Sequence, residues 1–423
     1  MDVAVKSRFY LAVGLLLVSG SLVFGQTISP MTLEQPPTPG DTEPMASGNQ
    51  PISFQDNSNR TGEVRLSADY LLWWVRRAPT GGPLVTTGSL NDFIPGALGQ
   101  PNTRVLFGDQ PIGYNPSSGM RIGAGIELNS LLILEGNYFF LGRQSVRFSA
   151  AADATGNPLI GRPIFNNQTG LQDDFATSNP GAWAGRTDID SSTALQGFEL
   201  NLAANLLYYQ ASKLDLLLGF RALYLNEDLT IRDSVTPLVP NTLSFLGGPA
   251  DPPSTIRDLD RFRTGNNFYG GQLGLHWQAT RGPLGLDLTG KIALGANQQL
   301  VTNDGATTLI TPGAAAMTAP GGVLAQTTNM GRHYRSTFSA VPELGVNVSW
   351  QVTPSLKAVA GYSFMYWSNV VRPGNQIDHN INPALPPGDQ DFGNGLGQNR
   401  PAFNFRATDF WAQGVNFGLE FRF

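Results

Sequence analysis

Residues 411–423 alternate between apolar side chains and small or polar ones. A period of two is typical of a β-strand with one face in an apolar medium and the other in a polar or tightly filled space. An ordinary strand of a soluble sheet shows the same pattern, but a terminal aromatic strand is also typical of the closing strand of an outer-membrane barrel. We expect the barrel-assembly machinery to recognise its apolar face, which consists of Trp411, Phe417, Leu419, Phe421 and Phe423.

Nine further segments alternate in the same way, and each is long enough for the 9–11 residues with which a tilted strand crosses a bilayer. They are residues 63–75, 119–129, 132–140, 197–205, 214–224, 269–277, 284–294, 343–352 and 356–366. Short and long connections alternate strictly between them, as in barrels with short periplasmic turns and long outside loops. The long connections are residues 76–118, 142–191, 230–262, 300–338 and 370–408.

The pattern therefore predicts an all-β fold over residues 61–423, namely an antiparallel up-and-down transmembrane β-barrel of about ten strands. Twelve strands are the alternative, if residues 84–88 and 104–108 pair as a further hairpin of the wall. The apolar face is continuous from strand to strand, and an apolar exterior aggregates in water but is required in hydrocarbon. We therefore expect the outer face to contact outer-membrane lipid.

The opposite face carries charges from nearly every strand, so we expect these charges to line the lumen. The predicted lumen-facing residues are Arg65, Asp69, Arg121, Glu127, Glu135, Glu199, Asp215, Arg221, Asp287, Lys291, Glu343, Lys357, Glu420 and Arg422. Acidic and basic members are nearly balanced, which suits either a salt-bridge network that fills the lumen or the lining of a narrow aqueous channel.

Composition and the N-terminal segment lead us to expect an exported protein. Only 14% of residues are charged, against about 25% in soluble proteins. A net charge of -5 argues against nucleic acid as a partner, and the absence of cysteine excludes disulfides and thiolate metal sites. Residues 1–25 have the basic start and apolar run of a secretory signal, with cleavage expected near Gly25. Residues 26–60, rich in Pro, Gln, Thr, Asn and Ser, are predicted to be a disordered periplasmic linker.

Several segments resemble a family of exported β-barrel proteins of planctomycete-type bacteria, barrel protein family seven, whose function is undetermined. They run in family order from about Arg65 to the C-terminus. Among them are residues 70–74 (YLLWW), 215–221 (DLLLGFR), 268–272 (FYGGQ) and 361–374 (GYSFMYWSNVVRPG). The resemblance implies an outer-membrane barrel and implies no substrate.

Three functions fit the sequence. The first is a narrow porin-like channel for small polar solutes, in which Arg372 folds inward and constricts the mouth, or instead pairs with a loop carboxylate in a fixed turn. The second is a non-conducting barrel that acts in surface structure or adhesion through its long loops.

The third function is a hydrolase at the outer rim, with candidate residues Glu227, Asp228, Asp233, Asp258, His333 and His379. The sequence has no Gly-x-Ser-x-Gly nucleophile motif and no paired histidines at metal spacing. We therefore expect no catalytic residues, no metal and no cofactor.

Overall fold

The computed structural model describes residues 62–423, and the predicted signal peptide and linker lie outside this range. The described residues form nineteen β-strands and one 3-10 turn, Pro373–Gln376. The strands are β1 Val64–Val75, β2 Val85–Thr87, β3 Arg104–Phe107, β4 Ser117–Glu127, β5 Leu132–Leu141, β6 Gln144–Ala151, β7 Ile160–Asn166, β8 Leu171–Ser178, β9 Trp183–Tyr209, β10 Ser212–Pro237, β11 Ser244–Phe245, β12 Gly248–Pro249, β13 Thr255–Arg281, β14 Leu284–Ile310, β15 Met317–Pro320, β16 Gly331–Thr353, β17 Leu356–Val371, β18 Asn380–Ile381 and β19 Ala407–Arg422.

Within residues 62–423, ten of these strands close into an antiparallel ring, which confirms the predicted fold class. Their order around the ring is β1, β4, β5, β9, β10, β13, β14, β16, β17 and β19, the order of the chain itself. The ring closes between β19 and β1, where Arg65 lies opposite Arg422 and Val75 opposite Ala412. The C-terminal strand is therefore a full member of the wall. Residues 62–423 include no helix long and apolar enough to cross a membrane.

The outer face of β10 changes from apolar to polar along the strand. Its outward residues are apolar from Leu214 to Tyr224 and polar from Asn226 to Thr236. The apolar part spans ten residue steps (224 − 214), which at about 3.4 Å per step and a tilt of about 40° give a band roughly 26 Å high. This height matches the apolar belt of a barrel that crosses a bilayer. The outer half of β10 therefore projects beyond that band.

The strands β9, β10, β13 and β14 are 26 or 27 residues long and all project in this way. The prediction that residues 142–191, 230–262 and 300–338 are loops was therefore wrong for the parts that belong to these strands. Beyond Tyr224 the alternation inverts: Arg232 points outward, whereas Leu229 and Ile231 point inward and are buried. The sequence prediction relied on an apolar outer face, so it ended the strand where this inversion begins.

The remaining long segments fold against the inner face of the projecting strands, and we call them the cap. The cap consists of residues 78–112, 153–182, 238–254, 321–330 and 373–406. Its main element is a five-stranded sheet of β2, β3, β7, β8 and β18. An apolar cluster joins the cap to the wall, with Val85 and Ile164 on the cap and Leu229 and Phe262 on the wall.

The cap corrects the twelve-strand alternative. Residues 84–88 and 104–108 do form a hairpin, with Val85 opposite Phe107. Its neighbour, however, is β7 of the cap, through Thr86 and Gly161. The side chains of Leu84 and Val85 are fully buried, because they pack inside the projecting wall and do not face lipid.

Candidate functional site

The fourteen charged residues that the sequence predicts to face the lumen lie on the inner face of their strands. Their neighbours along the strand face outward and are apolar, except for Gly136 beside Glu135 and Gly290 beside Lys291. Arg121, for example, lies between Met120 and Ile122 of β4. Some of these residues come together in ion pairs and others line the periplasmic end.

The central group joins two cations and two anions in the middle of the lumen. Arg221 Nη2 lies 3.1 Å from Glu199 Oε1 and also donates to Glu343. Lys291 Nζ lies 2.7 Å from Glu199 Oε2 and 3.4 Å from Glu343 Oε1. Gln272, which the sequence analysis did not single out, donates to Glu199 over 3.2 Å. The charges balance, as buried ions require, and the group connects strands from β9 to β16 across the lumen.

A second group lies nearer the short turns. His276 places Nδ1 3.8 Å from Asp215 Oδ2 and Nε2 3.6 Å from Asp287 Oδ1. Lys357 Nζ lies 3.3 Å from Glu420. His276 is about one quarter exposed, so this end of the lumen is accessible to water. Arg65 and Glu127 form an ion pair at the same end.

An apolar layer fills the lumen next to the central group, on the side nearer the long loops. The sequence analysis missed it. On β10, Leu223 and Leu225 follow Arg221 on the inner face and are fully buried. They pack in one cluster with side chains from the other walls of the barrel. The cluster consists of Leu71, Trp73, Val75, Phe139, Leu141, Leu195, Leu223, Leu225, Phe268, Ala293, Val341, Met365, Trp367, Val370, Phe410 and Ala412. The sequence does contain a signal for this layer, because the inward positions Leu223 and Leu225 of β10 are apolar. The outward residue between them, Tyr224, is apolar too, so the two faces do not differ there and the signal is easily overlooked.

Arg372 lies in the lumen just beyond this layer, on the side nearer the long loops, and is fully buried. Its Nε and Nη2 donate to the two carboxylate oxygens of Glu227, over 2.8 and 2.6 Å. Nη1 donates to the backbone carbonyl of Arg77 over 2.7 Å. Arg372 thus points inward, as one of the two sequence hypotheses required, and pairs with a carboxylate, as the other required. The carboxylate belongs to strand β10 rather than to a loop.

A further buried ion group holds the cap to the wall. Arg162 of β7 places Nη1 2.8 Å from Asp233 and 2.7 Å from Asp260, and all three side chains are at most 1% exposed. Asp260 Oδ1 also accepts the backbone N–H groups of residues 323–325 over 2.7–3.1 Å. Burial raises the pKa of Asp233, and Arg162 opposes the rise. Burial, and then the nearby Asp233, raises the pKa of Asp258 to about 7.

The six rim residues proposed for hydrolysis are distributed among different contacts. Glu227 pairs with Arg372, Asp228 with Arg261 on the outer face, and Asp233 with Arg162. His333 stacks on Phe403 with ring centroids 3.6 Å apart, and His379 is half-buried beside Gly82. In residues 62–423, no hydrogen bond joins either histidine to one of the four carboxylates. Within the same range no group of three or more His, Asp or Glu residues has a metal-binding arrangement.

Comparison with known families decides the affiliation. Residues 66–423 match the model of the family described as Putative beta barrel porin-7 (BBP7). The chain belongs to this family. BBP7 is an outer-membrane β-barrel family, and the apolar band of this member contacts membrane lipid. No curated protein matches the chain.

Among solved structures, this BBP7 chain is similar to the outer membrane protease OmpT from Escherichia coli, with 11% identity and a TM-score of 0.38 over 87% of this chain and 99% of that one. It is also similar to an anion-selective porin from Comamonas acidovorans, with 8% identity and a TM-score of 0.19 over 85% and 98%. A Pseudomonas aeruginosa FadL homologue matches with 8% identity and a TM-score of 0.19 over 86% and 90%. Scores this low carry no argument about function.

Proposed function

We propose that this BBP7 protein is a closed outer-membrane barrel that holds its folded cap at the cell surface. The observation that carries the proposal is the filling of the lumen between the central ion group and the long-loop end of the barrel. In that direction the apolar layer comes first, the buried pair of Arg372 and Glu227 second, and the apolar core of the cap third. These three filled layers support the non-conducting function that the sequence suggested second.

The energetics of ion passage support the same proposal. A hydrated ion or polar solute that crosses the apolar layer must give up hydrogen bonds to water without replacement, at a cost of several kcal/mol for each group. A narrow channel for small polar solutes, the first function suggested by the sequence, therefore requires the cap and this layer to move. The contacts of Arg162 and Arg372 oppose such movement. Arg162 joins the cap to the wall, and Arg372 joins the end of β17 to β10, in both cases through fully buried charges.

The barrel would act without catalysis, since the polar rim residues Glu227, Asp228 and Asp233 are held by arginines. We further propose that β19 is the element that the assembly machinery recognises. Phe417, Leu419 and Phe421 expose their side chains on its outer face, and Phe423, directly after the strand, is exposed as well. A recognition factor can reach these side chains before lipid does.

The decisive experiment is single-channel recording of the mature chain, residues 26–423, refolded and inserted into a planar bilayer. A heat-dependent gel shift on the same sample establishes that the barrel is folded, and a porin of known conductance establishes that insertion is detected. The closed barrel is expected to give a silent membrane. Discrete current steps that grow with salt concentration would overturn the proposal.

A further inference from the structure

A cavity of about 360 Å³ lies in the outer part of the cap, between the cap sheet, the ends of β10 and β13, and the last long segment. Five carboxylates line it, and none of its lining residues is Lys, Arg or His. The carboxylates are Asp173, Asp174, Asp258, Asp389 and Asp391. The cavity therefore offers negative charge without an internal counter-ion.

Asp258 forms the deep end of this cavity. Its side chain is 3% exposed, and Oδ1 accepts a hydrogen bond from Thr307 over 2.6 Å. Oδ2 is buried and has no hydrogen-bond partner among residues 62–423. A buried carboxylate oxygen without a donor is costly, so a ligand that supplies an N–H group at this position removes that cost. At the rim, Gln390 and Asp391 are exposed, and the cavity is thus reached from outside.

The remaining lining is apolar and aromatic. Trp183, Phe175, Ile164 and Ile256 contribute to the walls. The Trp183 ring is fixed, because Nε1 donates to the carbonyl of Ala176 over 3.0 Å. A cation beside an aromatic ring is attracted by the negative face of the ring. Carboxylates together with aromatic and aliphatic walls suit an ammonium group carried on a methylene chain.

We propose that this cavity binds a small aliphatic polyamine, with one ammonium group on Asp258 and the methylene chain against the apolar wall. The inference rests on the proposed display function for access from the exterior. A metal ion fits less well, since the described residues hold no group of carboxylates with metal-binding geometry. The volume is near the lower end of small-molecule sites, about 300–1,000 Å³, which agrees with a ligand of this size.

The titration of the cavity supports the same ligand class. Burial raises the pKa of Asp174 well above its ordinary value and that of Asp389 to about 6, with smaller contributions from neighbouring aspartates. These carboxylates hold protons at acidic pH while the cavity is empty. A polyamine must displace the protons, so its binding weakens as the pH falls.

The test is calorimetric titration of spermidine into the refolded full-length mature barrel in detergent. We expect saturable binding at pH 8, weaker binding at pH 5, and a loss of about tenfold in affinity for Asp258→Asn, which removes one charged hydrogen bond. Asp190→Asn is the matched control, because Asp190 lies on the outer face and pairs with Arg232. Its affinity is expected to match that of the unsubstituted chain.

Three outcomes would overturn the inference: no saturable binding by barrel that is folded in the gel-shift assay, equal losses in the two variants, or calcium chloride binding at Asp258 in place of spermidine. Because binding is measured in detergent without a bilayer, its failure is independent of the conductance result that tests the closed barrel.

Discussion

Arg372 and Glu227 join two walls of the barrel that are separated by β13, β14 and β16 in the ring. The guanidinium donates to both carboxylate oxygens over 2.6 and 2.8 Å, and both side chains are at most 1% exposed. It also stacks over Phe410 at 5.4 Å from the ring centroid. This geometry fixes the end of β17 against β10 directly outward of the apolar layer.

Replacing Arg372 with Ala leaves the Glu227 carboxylate buried without a partner. We expect the free energy of unfolding in detergent, measured by urea titration, to fall by about 3–5 kcal/mol. The exposed Arg232, which pairs with Asp190 over 2.8 Å, gives the control: Arg232→Ala should cost at most about 1 kcal/mol. Equal effects of the two substitutions would contradict the buried pairing. The bilayer is expected to stay silent with Arg372→Ala, because the apolar layer is intact.

The central ion group predicts a similar loss inside the membrane band. Glu199→Gln leaves Arg221 and Lys291 with only Glu343 as their anion, so one positive charge is uncompensated. We expect unfolding in urea to require about 3–5 kcal/mol less free energy. Glu135→Gln is the matched control on the neighbouring strand, since Glu135 accepts only one long hydrogen bond of 3.4 Å from Asn201. A network without energetic importance would make the two variants alike.

The position of the membrane band can be tested on one strand. Leu218 lies on the outer face of β10 within the apolar band, and Asn226 lies on the same face just beyond it. Leu218→Lys places a charge in hydrocarbon and is expected to cost about 2–4 kcal/mol, whereas Asn226→Lys costs about 0–1 kcal/mol. Folding into lipid vesicles, followed by the gel shift, measures both. Similar folding yields would place the band elsewhere.

The pKa of Asp258 predicts a pH dependence for stability. Folding raises the pKa of Asp258 from an ordinary 3.8 to about 7, by burial and by repulsion from Asp233 and Asp260, while the hydrogen bond from Thr307 and the charge of Arg162 oppose the rise. The folded state therefore binds the proton more tightly than the unfolded state does. The resulting stabilisation is complete below about pH 4, and it is lost as the pH rises towards 7, at up to about 1.4 kcal/mol per pH unit. The other titratable groups that line the same cavity as Asp258 are Asp173, Asp174, Asp389 and Asp391.

Asp258→Asn removes this titration and keeps the acceptor for Thr307. Relative to the unsubstituted chain, the variant is expected to gain stability between pH 5 and pH 7 and to be the more stable protein at pH 8. Urea midpoints at the three pH values measure the difference, in which the titrations of other groups cancel. A difference that does not change with pH would show that Asp258 is ionised throughout the range.

The sequence by itself determined which residues form the membrane-crossing strands and which face of each meets lipid. Hydrocarbon tolerates neither exposed polar side chains nor unpaired strands. The outward positions from Leu214 to Tyr224 are therefore all apolar, and the strand can be recognised from the sequence. Strand number followed from the same constraint, since each crossing needs its own apolar face.

Only the tertiary structure decided how the lumen is filled. Beyond the band the outer face meets water, apolar residues turn inward, and the pattern matches that of an ordinary loop-rich segment. Arg372 and Glu227 are 145 residues apart in the chain, and Arg162 and Asp260 are 98 apart. Such pairs depend on strand register and on the folding of the cap. Neither the register nor the fold of the cap can be predicted from local periodicity in the sequence.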